Sequence, residues 1–297
     1  MPSPRRRFLQ SAAGLAGFKA LASPAPLLPT VKLGKHQVTR MIVGANPMYG
    51  FSHFNNIYDQ VMRDWYTPER VCEVLRRCQE QGLNTWQFSY RERAFSDLKR
   101  HRDEGGTMQW ILLSGREIEE DLSLIPKAAA LNPIGIVHHG GTTDRRFRAG
   151  EHAKVREFLK GVRDAGVLAG MSTHNPQNLE RVESENWDID FYMTCCYHVT
   201  RTPEEVRKIT GELPLAEVFL EGDPARMFKV VRQTKKTCLA FKILAAGRRI
   251  QNPREVDQAF QFAFDSIKPQ DAVIVGMFPR IKDEVKENAE RVRRILA

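Results

Sequence analysis

From Met41 onward, short apolar runs alternate with longer stretches whose apolar positions recur every three or four residues. The short runs read as buried strands, and the recurrences as helices with one buried face. The runs lie at Met41–Ala45, Asn84–Ser89, Met108–Ser114, Ile134–His138, Val167–Ser172, Ile189–Cys195, Cys238–Ile243 and Ala272–Val275. Strand followed by helix is the order of a parallel sheet covered by helices, and eight such strands close a barrel. The fold predicted is therefore α/β, a (β/α)8 barrel.

The helical stretches carry their own boundaries. Val71, Val74, Leu75 and Cys78 form one buried stripe, and Val155, Phe158, Leu159 and Val162 another, each ending at a glycine. Thr202-Pro203-Glu204-Glu205 combines an N-cap, a proline in the first turn and a capping glutamate, and Asn252-Pro253-Arg254-Glu255 repeats the arrangement. Two regions are less regular. Met48 to Trp65 reads as a long loop rich in Asn, His, Phe and Tyr, placed where loops bind ligand or simply pack on the surface. The stretch between His198 and Cys238 holds two helical patterns and the apolar run Leu215–Leu220, which reads as either an elaborated loop or a short extra strand.

Composition narrows the class. At 297 residues with 42% hydrophobic and 27% charged side chains, and no Pro/Gly-rich linker in the interior, the chain is expected to form one globular domain. Of the net charge of +9, four positives are Arg5, Arg6, Arg7 and Lys19, near the start. The remaining basic residues alternate with acidic ones on helix faces, which argues against nucleic acid as a partner. Arg5, Arg6, Phe8 and Leu9, followed by a small-residue stretch to Ala22, resemble a twin-arginine export signal. The expected organisation is a signal and linker over 1–30 and the barrel over 31–297. The expected partners are the export machinery and a small-molecule substrate, with a periplasmic or otherwise exported location. No later stretch is long and apolar enough to span a bilayer. Five cysteines do not make a disulfide framework.

In such barrels the strand ends meet at one mouth, so side chains remote in sequence can act together. Those ends supply Gln87, Ser89, Tyr90 and Glu92, then His138-His139-Gly140-Gly141, Ser172-Thr173-His174-Asn175 and Cys195-Cys196-Tyr197-His198. His138, His174, Cys196 and His198 are ordinary transition-metal ligands, zinc being the natural candidate, although no local metal motif joins them. The alternatives are a metal-free acid/base pocket, in which His138 and His174 exchange protons, and histidines that are simply structural. Lys242 interrupts an apolar run and needs a polar mouth or a partner such as Glu92, Glu221 or Asp223. At the mouth it would donate to a substrate oxygen or act as a nucleophile. Gly247 and Gly276 follow the last two strands, where barrels often receive phosphate, with Arg248, Arg249, Arg280 and Lys282 nearby. Turning the chain is the other use of those glycines.

Several of these segments, taken in order, resemble the aldo/keto reductase family. Val31–Gly34 and Thr39–Gly44 are similar to its barrel-closing hairpin and first strand, Gly82–Ser89 to its second, and Gly170–Asn175 to its fifth. Lys242–Gly247, Val275-Gly276 and Glu287-Asn288 resemble its last two strands and the helix after them. The resemblance implies a barrel with an N-terminal closing β-hairpin and NAD(P)-dependent carbonyl reduction. It places His138 at the family's catalytic histidine, Gln87 at its aspartate, Glu92 at its tyrosine with Tyr90 two residues away, and Ser114 or Gly115 at its lysine. Among cofactor contacts it implies Ser172, Thr173, Gly247, Gly276, Glu287 and Asn288, with Glu284 where an arginine for a ribose phosphate belongs.

Three readings of function follow. The first is an exported enzyme acting on a small polar or sugar-like substrate by histidine-dependent chemistry, with or without a metal, in which Lys242 is an oxyanion donor. The second is an oxidoreductase of the aldo/keto reductase type with an altered catalytic group. The third is a noncatalytic ligand-binding barrel.

Overall fold

A computed structural model describes residues 25–297, so the basic N-terminal segment and its export reading lie outside the described residues. A short antiparallel hairpin comes first, β1 (Thr30–Leu33) and β2 (His36–Thr39). Eight parallel strands follow: β3 (Met41–Gly44), β4 (Thr85–Ser89), β5 (Gln109–Leu113), β6 (Gly135–His138), β7 (Leu168–Thr173), β8 (Phe191–Cys195), β9 (Thr237–Phe241) and β10 (Ala272–Gly276). They close in sequence order, with β10 pairing β3. All eight predicted strands are present, each within a few residues of its expected bounds.

The helices are α1 (Asn56–Trp65), α2 (Pro68–Glu80), α3 (Glu92–Asp103), α4 (Arg116–Glu120), α5 (Leu124–Ala129) and α6 (Gly140–Arg148). After them come α7 (His152–Asp164), α8 (Pro176–Ser184), α9 (Pro203–Thr210), α10 (Asp223–Gln233), α11 (Pro253–Ser266) and α12 (Glu284–Ile295). The predicted caps form. Thr202 accepts from the Glu205 amide at 3.2 Å while the Glu205 carboxylate accepts from the Thr202 amide at 2.7 Å, and Asn252 accepts from the Glu255 amide at 3.0 Å. Two expectations change. The segment after β3 is not a plain loop, because Asn55 caps α1 within it. The run Leu215–Leu220 forms no strand; it lies in the connection between α9 and α10, with Leu215 fully exposed.

Strand alternation sorts the core into two layers. Ile42, Ile111, Val137, Phe191, Met193, Leu239 and Ile274 cluster together inside the barrel. Their sequence neighbours, among them Val43, Trp110, Ile136, Tyr192 and Val273, join the larger cluster beneath the helices. Room inside is limited: a Cβ on Gly170 would come within 2.7 Å of the Phe191 ring, so glycine there admits the phenyl group. Val31, Leu33 and Val38 of the hairpin belong to the interior cluster, which makes the hairpin a plug for the end opposite the mouth. No helix of the described residues is long and apolar enough to cross a membrane.

If the plug is part of the core, Leu33→Ala should lower stability by roughly 2–5 kcal/mol, the usual cost of truncating a buried leucine. Urea unfolding measures it, and a loss below about 1 kcal/mol would mean that the hairpin only rests against the barrel.

Candidate active site

Alternation also decides which strand-end residues reach the mouth. His138 has the parity of Ile136, so its ring turns toward the helices, edge-on to Phe158 at 4.9 Å, with Nδ1 2.7 Å from the Thr143 hydroxyl. Burial lowers its pKa to about 4, keeping it neutral. The expectation that His138 is a mouth residue is therefore corrected. Its neighbour His139 takes the mouth-facing parity. The His139 amide donates to Ser114 Oγ (2.9 Å) and Glu119 Oε1 (3.1 Å), and its Nδ1 accepts from the Gly141 amide at 3.2 Å as the cap of α6. Burial again lowers its pKa, with Glu119 opposing and His174 reinforcing the shift.

His174 is where it was expected, and its support was not. Its Nδ1 lies 2.9 Å from Asp144 Oδ2, and its backbone amide donates to the same oxygen at 3.0 Å. Asp144, on α6, is buried and also accepts from Thr173 Oγ1 (2.5 Å), Asn178 Nδ2 (2.8 Å) and Thr200 Oγ1 (2.8 Å). Burial alone would raise its pKa, but the bonds from His174, Thr173 and Thr200 prevail and hold it below the usual range. An ionised Asp144 fixes the His174 tautomer with hydrogen on Nδ1. Nε2 then has a free lone pair and no protein partner among the described residues. Gly140 permits this approach: a Cβ there would sit 2.8 Å from Ser172 Oγ and 2.9 Å from the His174 ring.

Across the mouth, Lys242 follows β9 with a φ of 62°. Its Nζ donates to His53 Nε2 at 2.9 Å, and His53 Nδ1 lies 3.1 Å from Glu217. His53 is also left-handed, at φ 59°. Two facing non-glycine residues in that region mark a backbone held by its surroundings, at roughly 1–3 kcal/mol each. The partners expected for Lys242, Glu92, Glu221 and Asp223, are replaced by His53, which stands between the lysine and Glu217. Burial raises the Glu217 pKa, but the bond to His53 and the charge of Lys242 outweigh it and keep the carboxylate ionised.

Other expected residues lie elsewhere. Tyr90 packs edge-on to Phe95 at 5.2 Å in the helix layer, and Glu92 is exposed on the outer face with Pro68 and Arg100. Thr173 supports Asp144 instead of facing a ligand. Cys196 is buried in the helix-side cluster with its thiol pKa pushed well up, and His198 presents a buried, unbonded Nε2. His174, Cys196 and His198 border one cavity while His138 lies apart from them in the helix layer, and no three ligating side chains among the described residues form a metal-binding group. Asp223, once a candidate for Lys242, instead accepts from both Arg201 nitrogens at 2.8 and 2.5 Å.

Two cavities open at the mouth. One of about 280 Å³ is bordered by His174, Gln177, His198 and Arg201. The other, about 610 Å³, runs from Gln87 and Lys242 over Gly276 to Gly247, Glu284 and Asn288. Phe241 lines the larger and meets the His174 ring, which borders the smaller, at 5.8 Å. The larger cavity occupies the place where the family resemblance puts a dinucleotide, and its donors do not fit phosphate. The amides of Ala245, Gly247 and Arg248 are spent on Lys242, Leu244 and Ala245 carbonyls at 2.8, 3.0 and 3.2 Å. The Phe278 amide is spent on Glu284 at 2.7 Å, and Asp283 caps α12. Arg248 is stacked between Phe54 and Phe219, at 4.5 and 4.0 Å. Glu287 pairs with Arg291 and Lys282, and Asn288 accepts from Arg291 at 3.0 Å.

No protein-family model and no curated protein matches the chain. Solved structures do. The glycerol dehydrogenase AKR11B4 from Gluconobacter oxydans superposes with a TM-score of 0.52 at 10% identity, over 93% of this chain and 91% of its own. A truncated 3-deoxy-D-arabino-heptulosonate 7-phosphate synthase from Thermotoga maritima gives 0.51 at 14% identity, over 91% of each chain. Gox0644 in its apo form gives 0.51 at 11% identity, over 91% of this chain and 94% of its own. A dehydrogenase and a synthase match equally well, so the likeness shows the barrel and leaves the chemistry to the site.

The neutral, buried His138 sets a pH dependence. Its pKa is about 4 folded against 6.5 unfolded, so the unfolded chain binds the extra proton between those values. Stability should fall as pH drops from 6.5 to 4, and this one group can account for at most roughly 3 kcal/mol. Urea unfolding of His138→Gln across that range should show a shallower loss than the parent. An unchanged slope would place the proton uptake elsewhere.

Proposed function

We propose that this protein is an enzyme that moves a proton at a carbon beside a carbonyl of a small polyhydroxy substrate. The observation that carries this reading is the His174–Asp144 pair at the mouth. A histidine whose Nδ1 is held by a buried carboxylate presents Nε2 as a base, and the carboxylate stabilises the charge that the ring acquires. In this reading His174 takes the C–H proton, and electron density moves onto the carbonyl oxygen. The Lys242 ammonium, aimed by His53 and Glu217, meets that oxygen as its charge develops. His139, with Nδ1 committed to the Gly141 amide, offers Nε2–H as a second proton donor on the same rim. Return of the proton to the same or a neighbouring carbon gives epimerisation or isomerisation, and loss of a β-substituent gives elimination. A polyol or sugar-like substrate class is the one suggested by the names of two proteins similar in fold, a glycerol dehydrogenase and a 3-deoxy-D-arabino-heptulosonate 7-phosphate synthase.

The scheme is proton transfer alone and is carried by His174, His139 and Lys242. Export of the folded enzyme through the twin-arginine route completes the proposal.

Proton exchange from small ketoses and oxidised sugars into deuterated water, followed by NMR, tests the reading directly. His174→Ala should slow the active substrate by about 10²–10⁴, the usual worth of a positioned base. Asp144→Asn should act in the same direction by disturbing the tautomer. Lys242→Met should cost about 10²–10³ in kcat with KM little changed, as expected of a group that acts on developing charge. Full exchange by His174→Ala would remove the base from the mechanism.

A further inference from the structure

The larger mouth cavity is apolar in a way that neither the reaction nor the fold requires. Phe51, Phe54, Ile57, Tyr58 and Ile250 line it, and they are five of the twelve large hydrophobic side chains exposed among the described residues. Exposed apolar groups scattered singly are ordinary, whereas a concentration in one concavity marks a binding surface. The wall is also organised. Phe54 meets Tyr58 edge-on at 6.2 Å, Tyr58 meets Phe278 at 6.1 Å, and Phe278 meets Trp65 at 5.3 Å. Edge-to-face contacts hold such rings in place without an occupant.

Charge selects among occupants. The carboxyl of Glu284 is in the wall, most of the loop amides described above are spent within the protein, and Arg248 is stacked between two aromatic rings. Lys242 stands at the mouth end, held by His53, and Lys282 at the outer end, 3.8 Å from Glu287. A pyrophosphate placed here would lose its water beside the Glu284 carboxyl while most of the loop amides are already spent, a costly exchange. An uncharged ring or chain loses little and gains the apolar area it covers.

We infer that the groove holds an uncharged aromatic or aliphatic arm of the substrate, whose reactive polar end lies between Lys242 and His174. The enzyme's substrates would then be small polyhydroxy carbonyl compounds carrying an apolar substituent, such as an aryl or alkyl glycoside in oxidised form. This inference rests on the acid/base reading for the polar end and on the groove alone for the arm. A cavity of about 610 Å³ is ample for a bicyclic ring and falls in the range of small-molecule sites.

The test is a fluorescence titration of the whole protein with 2-naphthol, uncharged at neutral pH, with NADH and NADPH as competitors. Saturable one-site binding is expected, displaced by neither nucleotide. Tyr58→Asp and Ile250→Asp, at positions 38% and 41% exposed, should keep the fold. Each should weaken binding by about tenfold or more, because a carboxylate would have to be desolvated against the ring. His174→Ala should bind naphthol as the parent does even when exchange activity is gone, so that failure of the groove and failure of the acid/base reading are told apart. Absence of saturable binding, displacement by NADPH, or parental affinity in both aspartate variants would each overturn the inference. A dimer in sedimentation that depends on Tyr58 and takes up no naphthol would overturn it in favour of a second copy as the occupant.

Discussion

The Asp144 carboxylate is the constraint around which the mouth is arranged. It is an ionised group almost wholly removed from water, and such a group persists only when hydrogen bonds replace its hydration. Four side chains do so, from β7, from the turn after it, from α8 and from the segment after β8. Removal of a partner from a buried charge costs roughly 3–5 kcal/mol, so these segments are tied to α6 as firmly as core packing would tie them. His174 is one of the four, which is why its ring has a single orientation and a single tautomer. The same bond that satisfies the carboxylate prepares the histidine to act as a base.

A second, looser device stands opposite. Lys242, His53 and Glu217 come from just after β9, from the turn before α1 and from the connection after α9, and they meet as cation, imidazole and anion in turn. Their side chains are about a third exposed at most in His53 and Glu217, so the Coulomb gain is partly screened. The left-handed backbone at His53 and Lys242 indicates that the surrounding loops impose the meeting. Rigid support on the His174 side and strained loops on the Lys242 side suit a site that binds a substrate between them.

The larger cavity illustrates how a scaffold and a ligand preference separate. Its position follows from the barrel, since loops after β3, β9 and β10 must border one another once β10 pairs β3. Its chemistry follows from local choices that the barrel leaves open: amides closed into a 3-10 turn at Ala245–Gly247, an acid at Glu284 and an aromatic wall from α1. A fold-level resemblance therefore carries over to the place of binding and not to what is bound.

By itself the amino-acid sequence determined the barrel, because strand and helix are written in periodicities of two and 3.6 residues and in caps that involve only near neighbours. Eight strands and the starts of α9 and α11 were legible in this way, as were His174 and Lys242 at or near strand ends, while the closing hairpin was expected only from the family resemblance. Tertiary structure alone decided the rest. A shift of one residue in parity exchanged His138 for His139, although β6 ends at His138 as its apolar run predicts, because the face a strand-end side chain takes is set only when the strand pairs within the barrel. Asp144 carried no signal, since a lone acid in Thr142-Thr143-Asp144-Arg145 reads as helix surface until α6 packs against β7. The partner of Lys242, His53, lies 189 residues away, and no periodicity records a contact that exists only when the barrel closes.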